Sequence, residues 1–476
     1  MLLVLALCIA LERTAHAEDG PYANFLVGEH ALGLAGAFVA VADDASVGFH
    51  NPAGAGLLAH STASGSVLAG GLQVRRLKLG YATRLGEADL EYEAAPSLAP
   101  FIGGVVKLGK RGADRIAPFG LGFTLLTPFQ DDYRSIAQLE GTDPDVDVRG
   151  VDRIEVRHAD RAQWYGLTFG ARVVRRLGLG LSTFLATRNV SHDEVEIHAR
   201  QGLLADLPAG ANRGRSAALN ASAEHIVLRA GLLWDASREV RLGLMLQPPG
   251  IELGSRARYD RLDTSIDATN ATFDTAKGDT QTHLPIPWEV RGGVAWRNDQ
   301  SLLTFDVSVL GPAGSASDPL PIVERATSAQ SMGLFVPEIA YRQFAVRTAA
   351  GFELLAGDSF PIRGGVLVER SSAPEVPLTS SVYARERVHT VGGALSIGLR
   401  SGWYDVSIGA TGLYGVGEGL GLMQGAADEA PSYRATDIEE ATLLVFVTGA
   451  RQAVQHVVAS VSSDAPKRKP RPRPKR

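Results

Sequence analysis

The chain has 476 residues, 45% of them hydrophobic, with a mean hydropathy of +0.02 and a net charge of −5. A helical membrane protein would be far more apolar, and beyond residue 11 no run reaches the roughly 18 apolar residues that a spanning helix needs. The single cysteine, Cys8, rules out a disulfide framework, cysteine-ligated zinc and a cysteine nucleophile once the first residues are removed.

Leu2 to Leu11 is an apolar run of h-region length, and Ala15-His16-Ala17 supplies small residues at a cleavage site, so residues 1–17 read as a secretory signal. Residues 18–60 lack strand alternation and are rich in Ala and Gly. Asn51 can cap free amides, and Pro52 at a first helical position loses no hydrogen bond. The glycine-rich stretch after Ala53 would not hold as an isolated helix and needs surrounding structure. A compact small-residue segment of this kind suits a plug, in which Asp43 and Asp44 are expected to meet lumen arginines.

From about residue 61 to beyond 410 the apolar residues recur with period two. Tyr165, Leu167, Phe169, Ala171 and Val173 share one face, and Gly166, Thr168, Gly170 and Arg172 the other. After Arg175-Arg176, Leu177, Leu179, Leu181 and Leu185 repeat the pattern against Gly178, Gly180 and Ser182. Val240 to Gln247, Phe119 to Leu125, Leu303 to Val309, Val391 to Leu399 and Tyr404 to Tyr414 follow the same rule.

A soluble exported β protein would also alternate. Three features favour a membrane barrel: apolar faces about nine to eleven residues long, small or polar opposite faces, and short turns alternating with long polar stretches. The long stretches fall near 130–162, 187–224, 254–285, 311–340, 371–387 and 415–437. The expected fold is all-β, a transmembrane antiparallel β-barrel of about 14 strands over residues 61–463, its lumen plugged by an N-terminal hatch. Aromatics, at 7%, are sparse for two interfacial girdles.

Lys467 to Arg476 carries seven basic residues and three prolines, so residues 464–476 read as a disordered basic tail. An exported chain meets no nucleic acid, and none is expected as a partner. Asp143, Asp145 and Asp147 hint at a calcium loop, but Val148 stands where the sharp-turn glycine should be. The 11 histidines show no metal-ligand spacing, and no nucleophile elbow, Walker loop or dinucleotide fingerprint occurs. No enzyme activity, cofactor or metal is expected.

Gly33-Leu34-Ala35-Gly36-Ala37-Phe38, then Val41-Ala42-Asp43-Asp44-Ala45, then Asn51-Pro52-Ala53-Gly54 resembles the hatch of the FadL/TodX family. That family comprises outer-membrane transporters of long-chain fatty acids and aromatic hydrocarbons. Leu284-Pro285 before Trp288 to Trp296, with Asp306 in the next strand, resembles a later family strand. Members commonly end on an aromatic; here a closing signal near Leu443 to Val447, or an unusual assembly, is expected.

The resemblance implies a monomeric barrel in the outer membrane of a Gram-negative bacterium, in contact with its lipid and with a hydrophobic small-molecule ligand. Asn51, Pro52 and Ala53, with Asp43 and Asp44, would form the gating hatch element. Phe25, Leu26 and Val27 would reach the ligand pocket. Arg172 and Arg241, on polar strand faces, are the candidate cations for a ligand carboxylate. PorV-like barrels that act as shuttles in protein secretion carry a similar start and give the alternative function.

Overall fold

The computed structural model describes residues 27–94, 101–109, 117–144, 147–201, 212–266, 270–313, 334–337, 342–357, 359–402, 404–424 and 431–453. The signal segment, Phe25, Leu26 and the basic tail lie outside the described residues.

Among the described residues, eighteen strands form one closed sheet. The first group comprises β1 (Ser61–Thr83), β2 (Gly86–Ala94), β3 (Phe101–Leu108), β4 (Phe119–Asp143), β5 (Val148–Val174) and β6 (Leu177–Arg200). Next come β7 (Asn212–Asp235), β8 (Val240–Gln247), β9 (Ile251–Ile266), β10 (Ala271–Thr280), β11 (Glu289–Arg297) and β12 (Ser301–Leu310). The wall is completed by β13 (Ala345–Ala356), β14 (Phe360–Glu369), β15 (Thr379–Ser380), β16 (Arg387–Arg400), β17 (Tyr404–Met423) and β18 (Ser432–Ala453).

Three pairs share one wall position each. The strands β2 and β3 both face β1, at its upper and lower ends. Likewise β8 and β9 face the two ends of β7, and β10 and β11 continue one another beside them. With the two-residue β15 set aside, the wall has fourteen positions. It closes where β18 pairs with β1, Leu443 opposite Leu72 and Val447 opposite Val67, so the expected closing signal lies in the body of the last strand.

The alternation explains both surfaces. On the lower half of the wall, the end where the chain enters at Ser61, outward positions carry Leu121, Phe123, Leu167, Phe169, Leu181, Leu395 and Ile408, all exposed. Such a continuous apolar band is stable only against lipid. Five aromatics, Phe119, Trp234, Trp296, Phe360 and Tyr404, stand exposed beside the lower turns. Those turns are tight for local reasons. The Asn298 side chain accepts from the amides of Gln300 (2.9 Å) and Ser301 (2.7 Å), and Ser237 Oγ from Val240 (2.9 Å).

The upper half departs from the expectation of long loops. Residues 130–162 form a continuous ladder between β4 and β5 apart from the turn near Asp147, and most of 187–224 and 254–285 is also strand. Loops were inferred there because the alternation is charged instead of apolar. Cross-strand pairs such as Arg134–Glu155 (2.8 Å) and Arg161–Asp132 (Nε, 2.9 Å) take the place of lipid contact on the outer face. The segments 415–423 and 432–437 are likewise strand, in β17 and β18.

Candidate functional site

Residues 27–58 fold inside the lower barrel as three single helical turns, Glu29–Gly33, Val47–His50 and Gly54–Leu57. None would persist alone in water. The wall supports them by coming very close. A Cβ added at Gly180 or Gly231 would collide with Pro52, one at Gly120 with Ala55, and one at Gly243 with Val39. The inward glycines of the alternating strands are therefore the imprint of the plug. Gly28 needs its left-handed φ of 102°. Ala35 (φ 53°) and Ala42 (φ 36°) hold the same region at a cost of roughly 1 kcal/mol or more each.

Polar seams fix the plug to the wall. Asp306 on β12 accepts from the amides of Phe38 (2.6 Å) and Val39 (2.7 Å). Lys107 on β3 donates to the carbonyls of Ala55 (3.0 Å) and Gly56 (2.7 Å), which are ends of the last turn. Arg229 on β7 donates to the Phe49 carbonyl, to Gln247 (2.8 Å) and to Glu289 (3.2 Å), and lies 4.1 Å over the Phe49 ring. Buried His50 donates through Nε2 to the Val27 carbonyl (2.7 Å), so its Nδ1 accepts from Arg291 (3.4 Å). Burial, reinforced by the Arg291 charge, pushes the His50 imidazole down to about 3.

Asn51 is wholly buried and bridges plug and wall: its amide donates to the carbonyls of Val39 (2.9 Å) and Leu232 (3.0 Å). Its side-chain oxygen accepts from Ala53 N (3.2 Å), while the regular turn starts only at Gly54. Pro52 and Ala53 lie against Gly180 and Gly231. The partners of the paired aspartates are inside the plug and are not arginines. Asp44 accepts from the amides of Glu29 (3.2 Å), His30 (3.2 Å) and Ser46 (2.6 Å), and Asp43 meets His30 Nδ1 (2.9 Å). Val27 packs with Phe49, Phe101, Trp164 and Phe184. Arg172 sits at the lower rim, donating to the Arg175 carbonyl (2.8 Å). Arg241 holds the Val41 carbonyl (3.1 Å) and Asp235 (2.6 Å).

Above the plug lies a lumen cavity of about 180 Å³, lined by neither Arg172 nor Arg241. Leu32 of the plug forms its floor, and Leu367, Leu413, Leu444 and Phe446 an apolar wall. The opposite side is charged: Arg75 meets Glu440 (3.1 Å) and Asp131 (3.6 Å), Arg347 bonds Glu369 (2.7 Å), and Arg342 and Arg385 also line it. Phe335 lines it from a segment clamped into the lumen, where Glu194 accepts from the amides of Leu334 (2.9 Å) and Phe335 (3.2 Å). Tyr433 donates to the Leu334 carbonyl (2.6 Å). Sequence reasoning did not assign Lys107, Arg229 or Glu194, although a lone charge at an inward position of FIGGVVKL or IVLRAGLLW is a visible signal.

The barrel fold has solved counterparts. A FadL homologue from Pseudomonas aeruginosa superposes with a TM-score of 0.57 at 11% identity, over 92% of this chain and 100% of the other. The chain shares the fold of FadL-like channels. The toluene transporters TodX of Pseudomonas putida (TM-score 0.54, 12% identity, 91% and 100% covered) and TbuX of Ralstonia pickettii (0.53, 13%, 90% and 100%) are similarly alike. These FadL-like structures are channels and transporters, not enzymes. No family model matches the sequence, and no curated protein does.

Proposed function

We propose that the chain is an outer-membrane channel for the uptake of small hydrophobic compounds, gated by the hatch. The lumen cavity carries this reading, because its apolar wall ends on the plug at Leu32. A dry path hides a solute's apolar area from the polar outer leaflet, at about 25 cal/mol per Å². Size favours one cargo over the other. Cavities of about 150 Å³ hold a benzene ring, so a single aromatic ring fits where a long-chain fatty acid would protrude. The toluene transporters of the same fold support the same cargo class. Release would follow from a shift of the hatch around Asn51, Pro52 and Ala53, or through a gap in the wall.

The test is uptake of labelled toluene and a labelled long-chain fatty acid by cells with and without the gene. Toluene uptake is expected to depend on the gene more strongly. Leu367→Trp, which fills the cavity, should reduce it several-fold while the barrel keeps its heat-modifiable gel mobility. No difference across several hydrophobic solutes would overturn the proposal. A shuttle barrel for secreted proteins would instead copurify with protein partners.

A further inference from the structure

The first helical turn of the plug meets β17 in a charged cluster that leaves one carboxylate oxygen without a partner. Glu29, Asp43, Asp44, Glu353 and Asp405 face Arg363, Arg400 and His30. Both arginines are committed: Arg363 to Glu353 (2.6 Å) and Asp405 (3.0 Å), Arg400 to both oxygens of Glu353 (3.1 Å each) and to Asp405 (2.8 Å). Glu29 is buried, its side chain 1% exposed, and its Oε1 has no hydrogen-bond partner. A carboxylate oxygen left so is costly unless a cation meets it or a proton neutralises it.

The histidine is set up to complete the arrangement. Its Nδ1 lies 2.9 Å from Asp43 Oδ1. A carboxylate can only accept there, so in the neutral ring the proton is on Nδ1 and the lone pair on Nε2. That is the carboxylate–histidine pairing found behind metal-bound imidazoles. Nε2 points to Glu29 Oε1 (3.9 Å) and Asp405 Oδ2 (3.7 Å), and the three atoms lie within 4.8 Å of one another. Ligands about 2.0–2.1 Å from a tetrahedral zinc ion stand roughly 3.3 Å apart, so modest side-chain contraction would close the site. Arg400 Nη2 stands 3.4 Å from Nε2 and must turn aside as a cation enters. Asp405 Oδ2, which accepts from Arg363 and Arg400, would share its lone pairs with the ion.

We propose that Glu29 Oε1, His30 Nε2 and Asp405 Oδ2 bind a first-row divalent cation, such as zinc, which staples the hatch to the barrel wall. One imidazole nitrogen and two carboxylate oxygens suit such an ion. They offer too few oxygens for calcium and no soft sulfur for copper(I). Leu32, three residues beyond Glu29, is the floor of the cavity, so the cation fixes the position of that floor. The inference rests on no assignment of cargo, and failure of the uptake experiment would leave it standing.

The test uses the full chain, folded in detergent, stripped with a chelator and titrated with Zn²⁺ by calorimetry and with Co²⁺ by absorption. One equivalent is expected, with visible Co²⁺ bands of a four- or five-coordinate nitrogen–oxygen site. E29Q should weaken binding about tenfold or more. D43N, which keeps all three ligands, should weaken it about 10- to 100-fold. Protease cleavage within the hatch should slow when the ion is added. Heat-modifiable mobility identifies variants with an intact barrel, and the wild-type Co²⁺ spectrum decides the matter even if a variant fails to fold. Absence of a stoichiometric equivalent in the wild type, or affinity unchanged in E29Q, would overturn the proposal.

Discussion

Below the level where Leu126 pairs with Trp164, the barrel is lined by glycine inside and clad in leucine and phenylalanine outside. Above that level the same strands carry charge on both faces: Asp160 with Arg188 and Asp152 with Arg200 within, Arg134 with Glu155 without. One ladder thus serves two environments, and both faces change together. The lower inside must admit a backbone and the lower outside must meet lipid. The upper part faces water on one side and the cavity and its surroundings on the other. The hydrogen-bonded ladder is common to both; only the side chains tell them apart.

The largest test of this contrast is a charge on each outer face. Leu181→Arg, in the middle of the lower band, should lower folding stability in liposomes by about 2–4 kcal/mol. Val195→Arg, on the same strand in the upper half, should leave it nearly unchanged in the same urea titration. The inner faces come next. Gly180→Val drives a side chain into Pro52 and should cost about 1–3 kcal/mol, read as faster protease cleavage of the hatch. Gly449→Ala, an outward-facing control at which an added Cβ meets nothing within 4 Å, should not.

Asp306→Asn keeps an acceptor for the Phe38 and Val39 amides but removes its charge. It should weaken the plug by about 1 kcal/mol in the same cleavage experiment. The smallest effect is that of a drop from pH 7 to pH 6, below about 1 kcal/mol. Because His50 is held neutral with its pKa down at about 3, its contribution is fully present above the ordinary value near 6.5. It is lost as the pH falls from there toward 3. Hatch cleavage should therefore rise with acidification, and His50→Gln should flatten the rise.

The lower half was the more legible of the two. The faces read from Tyr165–Val173 and Leu177–Leu185 are those that the β5–β6 pairing presents, with Ala171 opposite Leu179 across the short turn. Greasy alternation is a strong signal because lipid on one side forces it. Charged alternation is a weak one, since Arg153-Ile154-Glu155-Val156-Arg157 suits a solvated loop as well as a strand bathed by water. Within the plug, the Asn51 segment stood out by its Asn-Pro step. The partners of Asp44 did not, because nearby amides compete with distant arginines for a short carboxylate. Glu29 and His30 are far in sequence from Asp405, and no spacing rule links residues that only barrel closure brings together.

The uneven strand lengths have a consequence for approach to the mouth. Strands β4 to β7 run for 24 to 27 residues, whereas β12 to β14 run for 10 to 12. At about 3.3 Å per residue, the described ladder stands some 40–55 Å taller along the strand on one flank than on the other. The ladder's rim is cut on a slant, like the nib of a quill. If solute enters from this end, as proposed above, the described ladder offers a standing screen on one flank and a low sill on the other. Crowding neighbours on the tall flank would then hinder entry far less than neighbours on the low one.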